Sequence, residues 1–556
     1  MNFKKNESAT KLRGGYYTPE AVSRFLAKWV LQKKPKTILE PSCGDGSFIR
    51  ALKGQHRHAI HFTGVELHEE EADKAASFAA ENKHLRATVK NEDFLAMALE
   101  EMEVGIKYEA ILGNPPYIRY QYLEPADQLL SEKIFARHSL PFTKHTNAWV
   151  PFVIASIDLL MPGGRLAMVI PSELLHVLHA ASLRKHLLKE CNRIFMMDPN
   201  ELLFDEALQG TVLLMVEKKK KSTDVSKGVA VTSVAEKAFL EQDPSDFFDA
   251  ANYVSGDVLN GKWMKVLLEP EELRVFEKVK ALPTIRRFAD VADVDVGIVT
   301  GANKFFLVDA ATVRQYGLKK YAHPMFGRSE HCPGIVYNKE THKSNVAQGL
   351  PSSFILFNNT PVDKLPQSIQ TYIAMGEAQG LHTRYKCRIR KPWYVVPSIY
   401  ATPMGMLKRS HHFPRLIFNS AGAYTTDTSY RIKTITDGVT AEQLVYGFVN
   451  SLTALTAELE GRHYGGGVLE LVPSEIEKLL IPIPQLDHFD LDDLDKRVRS
   501  SDNPEALLRQ QDRVVLAAAG LTKDDIETLH KAWCRIRTRR HRLLVQNDKQ
   551  GEVSDE

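Results

Sequence analysis

A chain of 556 residues is too long for one core, and a composition of 44% hydrophobic and 25% charged residues excludes disordered, fibrous and membrane-embedded classes. A formal net charge of only +3 means that a polyanionic partner must be met by local basic patches. Five cysteines with no Cys-x-x-Cys pair exclude a disulfide framework and offer no zinc spacing, so no metal site is expected. The amino terminus leads into no apolar signal segment and no run of about 18 apolar residues follows, so a reducing, cytoplasmic setting without membrane contact is expected.

In chain order, Gly14-Gly15-Tyr16-Tyr17 reads as a loop that delivers aromatic groups to a helix. Thr18 is its expected N-cap, with Pro19 at the first helical position, and Val22, Phe25, Leu26, Trp29 and Val30 share one face. Strand Thr37–Glu40 then runs into Pro41-Ser42-Cys43-Gly44-Asp45-Gly46, and a helix begins near Phe48. A strand ending in a carboxylate before a Gly-x-Gly loop is the nucleotide-side turn of a doubly wound sheet, here without the usual third glycine. Glu66 closes strand Ile60–Val65, and Asp93-Phe94 and Asn114 follow, at successive intervals of 26, 27 and 21 residues after Glu40. That period is one strand plus one helix, and it sets each polar residue at the carboxyl end of a strand, where such folds bind ligand.

The apolar strand Tyr108–Leu112 stops at Asn114-Pro115-Pro116-Tyr117. Two prolines end the ladder and hold the backbone extended, leaving carbonyls that no neighbouring strand can use. The Asn114 side-chain oxygen and the Pro115 backbone oxygen can accept both hydrogens of a planar NH2 group while Tyr117 stacks on its ring. The plainer reading is a strand followed by a proline turn. The series continues with a helix over Thr146–Leu160, strand Arg165–Ile170, a helix around Leu174–Lys189, strand Arg193–Met197 and strand Thr211–Glu217. The last two strands are joined closely enough for a hairpin, which predicts six parallel strands and a final antiparallel one. Lys218-Lys219-Lys220-Lys221-Ser222-Thr223-Asp224 is a natural boundary, after which mixed short segments read as α+β.

A carboxylate at the second strand end suits two ribose hydroxyls, and the next acid with its aromatic neighbour suits an adenine. A glycine turn flanked by acids and lacking lysine disfavours a triphosphate but tolerates a sulfonium and an α-amino group. S-adenosylmethionine fits that description better than NAD or ATP.

Glu40-Pro41-x-x-Gly44-x-Gly46 together with Asn114-Pro115-Pro116-Tyr117 resembles the amino-methyltransferases. With the leading Gly14-Gly15-Tyr16-Tyr17-Thr18-Pro19 and the long C-terminal region, the chain resembles gamma-class DNA N6-adenine methyltransferases of type II restriction–modification systems. The likeness covers the first 220 residues and returns more loosely at Val296–Lys304 and Tyr464–Gly467. It implies an α/β fold: a Rossmann-like seven-stranded S-adenosylmethionine-dependent methyltransferase domain over 1–225. An α+β target-recognition domain over 229–490 and a helical segment over 491–550 would follow. The resemblance further implies that Tyr17, Thr18 and Pro19 close over the methionine moiety of the cofactor, which Glu40, Cys43, Gly44 and Gly46 line. Glu66 would hold the ribose, Asp93 and Phe94 the cofactor adenine, and Phe152 that adenine's other face. Phe204 would face Tyr117 across a target adenine flipped out of double-stranded DNA. Partners implied are DNA and a separately encoded cognate restriction endonuclease, with the enzyme acting as a monomer.

In the C-terminal half, basic residues interleave with aromatics at His382–Tyr394 and again at Lys408–His412. Arg384, Lys386, Arg388, Arg390 and Trp393 are the expected DNA contacts, although any of them also fits an ordinary solvated segment with Trp393 in the core. The proline tetrapeptide also occurs in enzymes that methylate ribosomal RNA bases or the release-factor glutamine, and N4-cytosine is a further NH2 target. A non-catalytic nucleic-acid-binding protein is the rival from another class. The long C-terminal region favours DNA, and Asn in the first position of the tetrapeptide favours adenine.

Overall fold

The computed structural model describes residues 18–551 except 83, 200–209, 235–236, 260, 465, 484–485 and 487, with backbone alone over 542–551. The chain divides after Leu268 into two compact units, the second being Glu269–His541.

The first unit is built on eight strands: β1 (Thr37–Glu40), β2 (Ile60–Glu66), β3 (Leu85–Asn91), β4 (Tyr108–Gly113), β5 (Leu160–Pro171), β6 (Cys191–Pro199), β7 (Thr211–Lys218) and β8 (Gly228–Val234). Their order is β3-β2-β1-β4-β5-β7-β6-β8. β1 pairs in parallel with β2 and β4, β7 runs antiparallel between β5 and β6, and β8 lies parallel to β6. Six parallel strands and an antiparallel seventh are as the spacing predicts. The eighth is an addition, and it lies beyond the lysine run, so the sheet continues past the composition break.

Helices cover both faces because the parallel strands are apolar on both sides. α1 (Glu20–Leu31), α2 (Ser47–Leu52) and α3 (Glu69–Ala80) pack on one face over Ile38, Ala110, Leu112 and Val169. α4 (Phe94–Val104), α5 (Pro125–Arg137), α6 (Trp149–Leu159) and α7 (Ala181–Glu190) pack against one another in sequence order or by pairs, α4 against both α5 and α6. Phe239 and Phe248, C-terminal to β8, join the same core as α1, with the Phe248 ring 4.8 Å from that of Trp29.

Three local expectations differ. Pro19, not Thr18, occupies the N-cap of α1, and its carbonyl accepts from Val22 and Ser23 N–H. β5, expected to begin at Arg165, starts at Leu160. The helix expected from Leu174 begins only at Ala181, after two 3-10 turns, because buried Arg184 donates to the carbonyls of Leu174 and Val177 (both 2.9 Å) and satisfies them without helical pairing.

The second unit is α+β with a helical end. An antiparallel sheet runs in the order Ala292–Val296, Ser429–Thr434, Met404–Leu407, Leu416–Phe418. A second sheet contains Leu307–Val308, Ser353–Ile355, Ala322–Phe326 and Tyr424–Thr425. Helices Leu491–Ser500, Pro504–Ala518 and Lys523–Gly551 follow.

Candidate active site

Strand order reverses between β1 and β4, so the carboxyl ends of these two strands border an open crevice. Glu40, Glu66, Asp93 and Asn114 sit at or just beyond the ends of β1, β2, β3 and β4.

The β1 loop is bent by two left-handed glycines, Gly44 at φ 48° and Gly46 at φ 87°. A Cβ on Gly46 would lie 3.2 Å from the Ala75 backbone of α3, whereas one on Gly44 would meet nothing within 4 Å. Gly46 thus lets the loop pack on α3, and Gly44 leaves open space. Asp45 is tied down by Ser47 Oγ (2.9 Å) and by Arg50 Nη2 (2.8 Å). Glu66 Oε2 accepts the Gly44 N–H and its Oε1 accepts the His68 N–H, both at 2.9 Å, so the second strand's acid is aimed by two backbone donors. Asn91 Nδ2 donates to the Glu66 and Leu67 carbonyls and fixes the adjoining turn.

Glu40 is buried, and its Oε2 has no hydrogen-bond partner among the described residues. Burial pushes its carboxyl well above the usual carboxylate range, Asp45 and Glu66 push it further, and Arg50 opposes them. Cys43 is buried beside these acids, and the same desolvation raises its thiol, which keeps it from serving as a thiolate nucleophile.

Asp93 caps α4 by accepting the Ala96 N–H at 2.8 Å. Phe94 is buried, and its ring lies 5.0 Å from that of Phe152 on α6. The two aromatics that the resemblance sets on the cofactor adenine lie against each other, with Phe152 the more exposed of the pair.

The proline tetrapeptide is fastened at three points. Ser42 Oγ of the β1 loop donates to the Asn114 carbonyl (3.0 Å), the Tyr117 hydroxyl donates to the Val169 carbonyl of β5 (3.0 Å), and Ala148 N–H donates to the Ile118 carbonyl (2.9 Å). Pro115 is buried. Tyr117 is thereby held by its hydroxyl end, which fixes the direction of its ring axis. Sequence reasoning missed Ser42 and Asn91; each is an unremarkable polar residue whose role depends on a strand brought alongside.

Thr18 is buried and Pro19 half-exposed at the start of α1. Tyr17 and Phe204 lie outside the described residues.

In the second unit Arg384, Lys386 and Arg388 are exposed around Tyr385, whose ring is 64% exposed. Arg390 instead donates to the Thr300 and Val299 carbonyls (2.7 and 2.6 Å), pinning the loop before Gly301. Trp393 corrects the expectation of a base contact. It is 8% exposed, packs 4.9 Å from Phe305 and donates Nε1 to Glu377 (2.9 Å), so its face is taken by the core.

This strand order, with a glycine loop, two oriented acids and an Asn-Pro-Pro-Tyr strand end at one edge, defines an α/β methyltransferase directed at amino nitrogen. Residues 2–247 match the N-6 DNA methylase family, and residues 260–516 match the C-terminal domain of the type II methyltransferase M.Eco57I. The chain is 24% identical to type II methyltransferase M.AccI of Acinetobacter calcoaceticus over 86% of its own length and 87% of that protein's. It is 22% identical to type II methyltransferase M.XamI of Xanthomonas campestris pv. amaranthicola, covering 84% and 85% of the two chains. Among solved structures it is similar to the type IIG restriction endonuclease BpuSI at 14% identity and a TM-score of 0.43, covering 97% of this chain and 67% of that one. These matches indicate a type II N6-adenine DNA methyltransferase of restriction–modification systems, an enzyme that methylates DNA at specific sites.

Proposed function

We propose that the methyl donor is S-adenosylmethionine and that the acceptor is N6 of an adenine flipped out of double-stranded DNA. The observation that carries this reading is one sheet edge: Asn114-Pro115-Pro116-Tyr117, tethered to Ser42 and Val169, stands at the carboxyl end of β4, on the edge where β1 and β2 end in Glu40 and Glu66. The donor set suits the cofactor. Glu40 offers a buried carboxylate oxygen without a partner among the described residues, fit for a cation, and Glu66 offers an aimed carboxylate for a diol. Gly44 leaves room for a ligand to approach the backbone. Asp93, with the Phe94–Phe152 pair, supplies an acceptor beside an aromatic wall for the cofactor adenine. Thr18, Pro19 and Tyr17 would close over the methionine part. When bound, S-adenosylmethionine supplies an electrophilic methyl group on a sulfonium.

The target N6 lone pair is delocalised into its ring, which makes the amine a poor nucleophile. The Asn114 side-chain oxygen and the Pro115 carbonyl oxygen accept both amino hydrogens, favour a pyramidal nitrogen and aim its lone pair. Positioning and oriented acceptors supply the rate, and no strong base is required. Flipping costs a few kcal/mol, and stacking on Tyr117, with Phe204 opposite, returns about 1–3 kcal/mol. The second unit acts as the target reader, with the exposed Arg384, Lys386 and Arg388 ridge around Tyr385 meeting the DNA. The gamma-class order of segments, a monomeric enzyme and a separately encoded endonuclease complete the reading.

Sequencing DNA from a methylation-free host that expresses the protein tests the substrate and base together. N6-methyladenine at one short recurring sequence is expected. Unmodified DNA, with the purified protein still binding S-adenosylmethionine, would redirect the reading to RNA or protein amide targets.

A further inference from the structure

His138, Asp158 and His186 come from three different helices of the first unit. His138 caps the C-terminal end of α5, Asp158 lies in the last turn of α6, and His186 is inside α7. Their ligating atoms all lie within 4.8 Å of one another. His138 Nε2 is 2.6 Å from Asp158 Oδ2, His186 Nε2 is 3.3 Å from Asp158 Oδ1, and the two imidazole centroids are 4.4 Å apart. His186 is 1% exposed, and its Nε2 faces the Asp158 carboxylate.

We propose that these three side chains form a structural site for a divalent transition-metal ion of the zinc type. Two imidazole nitrogens and one carboxylate oxygen are a donor set that this class of ion takes, with water in the fourth position. Ligand bonds of about 2.0–2.1 Å in tetrahedral geometry place neighbouring donor atoms about 3.3 Å apart. The His186–Asp158 separation already has that value. The His138–Asp158 pair is closer, and His138, the cap one residue beyond its helix and 18% exposed at the side chain, has room to open.

A hydrogen-bonded triad without metal is the competing account. A carboxylate shared by two imidazole N–H groups would draw both close, whereas the buried His186 stands 3.3 Å from the carboxylate against 2.6 Å for His138. The neighbouring ammonium groups do not occupy the cluster's donor atoms. Lys107 Nζ donates to the Asp158 carbonyl (2.5 Å), and Lys218 Nζ donates to the carbonyls of Ile157 and Leu160 (2.6 and 3.0 Å), so both are met by the C-terminal end of α6. Asp158 lies two residues before the start of β5, at the amino edge of the sheet, whereas Glu40 and Asn114 lie at the carboxyl edge. The ion would tie α5, α6 and α7 together and take no part in methyl transfer.

The probe is Co2+ added to chelator-treated full-length protein, read by visible absorption and by melting temperature. One bound ion with d–d bands and a rise in melting temperature is expected, with Zn2+ displacing the bands. His138→Gln, at the helix end, should abolish both responses while S-adenosylmethionine binding, measured in parallel, reports that the variant is folded. His186→Gln should do the same. Absence of bands and of any melting shift in the unsubstituted protein overturns the proposal. So does a full response that persists in folded His138→Gln.

Discussion

Asn114 and Tyr117 do different work, and substitutions should separate them. Asn114→Ala removes an oriented acceptor and should lower the methyl-transfer rate about 100–1,000-fold. S-adenosylmethionine affinity should stay near that of the unsubstituted enzyme; a large loss of cofactor binding would count against the assignment. Tyr117→Phe keeps the stacking face and loses the tether to Val169, so it should be mild. Tyr117→Ala should weaken binding of the flipped base by about 1–3 kcal/mol, measured with a fluorescent base analogue at the target position. Glu40 predicts a proton effect. Its buried carboxyl titrates above the usual range, so it holds a proton more readily than an exposed glutamate. A cationic ligand favours the ionised form, hence binding should expel up to about one proton and strengthen as pH rises. Calorimetry in buffers of differing ionisation enthalpy reads that proton. Its persistence in Glu40→Gln would assign it elsewhere.

At the level of elements, the second unit combines a pinned loop with an exposed ridge. Arg390 holds Val299 and Thr300, and a Cβ on Gly301 would come within 2.7 Å of the Lys386 side chain, so the 296–304 loop and the 384–390 segment are packed together. Removing Lys386 or Arg388 should cut the salt dependence of DNA binding by about one phosphate contact each without unfolding the loop. Unchanged salt slopes in both would move the DNA contact away from this ridge. The helical end carries its own test. Arg540 and Glu458 are both fully buried and joined at 2.7 Å. Burial alone would raise the Glu458 carboxyl, but the Arg540 charge and hydrogen bonds from His463 and Arg540 hold it at about 2, below the ordinary 4.5. The folded chain therefore takes up this proton less readily than the unfolded chain. The stabilisation is complete above pH 4.5 and is lost as pH falls toward 2. Glu458→Gln should cost about 3–5 kcal/mol at neutral pH, because it leaves a buried guanidinium uncompensated, and should flatten the acid limb of a melting-temperature profile.

For the molecule as a whole, the position of the division matters to any dissection. A fragment ending at residue 225 loses β8 and exposes the β6 edge, and it strips Phe239 and Phe248 from the core around α1. A fragment ending at Leu268 keeps all of these. The shorter fragment should aggregate, whereas the longer one should stay soluble, bind S-adenosylmethionine and lose site-specific methylation of DNA. Methylation of one short sequence by the 1–268 fragment would place target reading in the first unit. Among the described residues no helix is long and apolar enough to cross a membrane.

The alternation of apolar strands with helices, each strand closing on Glu40, Glu66, Asp93 or Asn114, was enough to read the sheet and the edge that carries the site. Period and end residue are local properties, and burial on both faces forces the strands to be apolar throughout. The acceptor oxygens and the aromatic face that Asn-Pro-Pro-Tyr offers were equally legible, since donors and acceptors belong to residue types. Tertiary structure alone decided what holds those groups. Ser42 reaches Asn114, Val169 anchors Tyr117, Gly44 aims Glu66, and Phe94 meets Phe152, each a contact between segments remote in sequence. It also decided that Trp393 is core, because whether an aromatic beside arginines faces water or Phe305 depends on packing that no local pattern encodes. The His138–Asp158–His186 cluster belongs to the same kind: three ordinary residues on separate helices, made into a possible ligand set only by the fold.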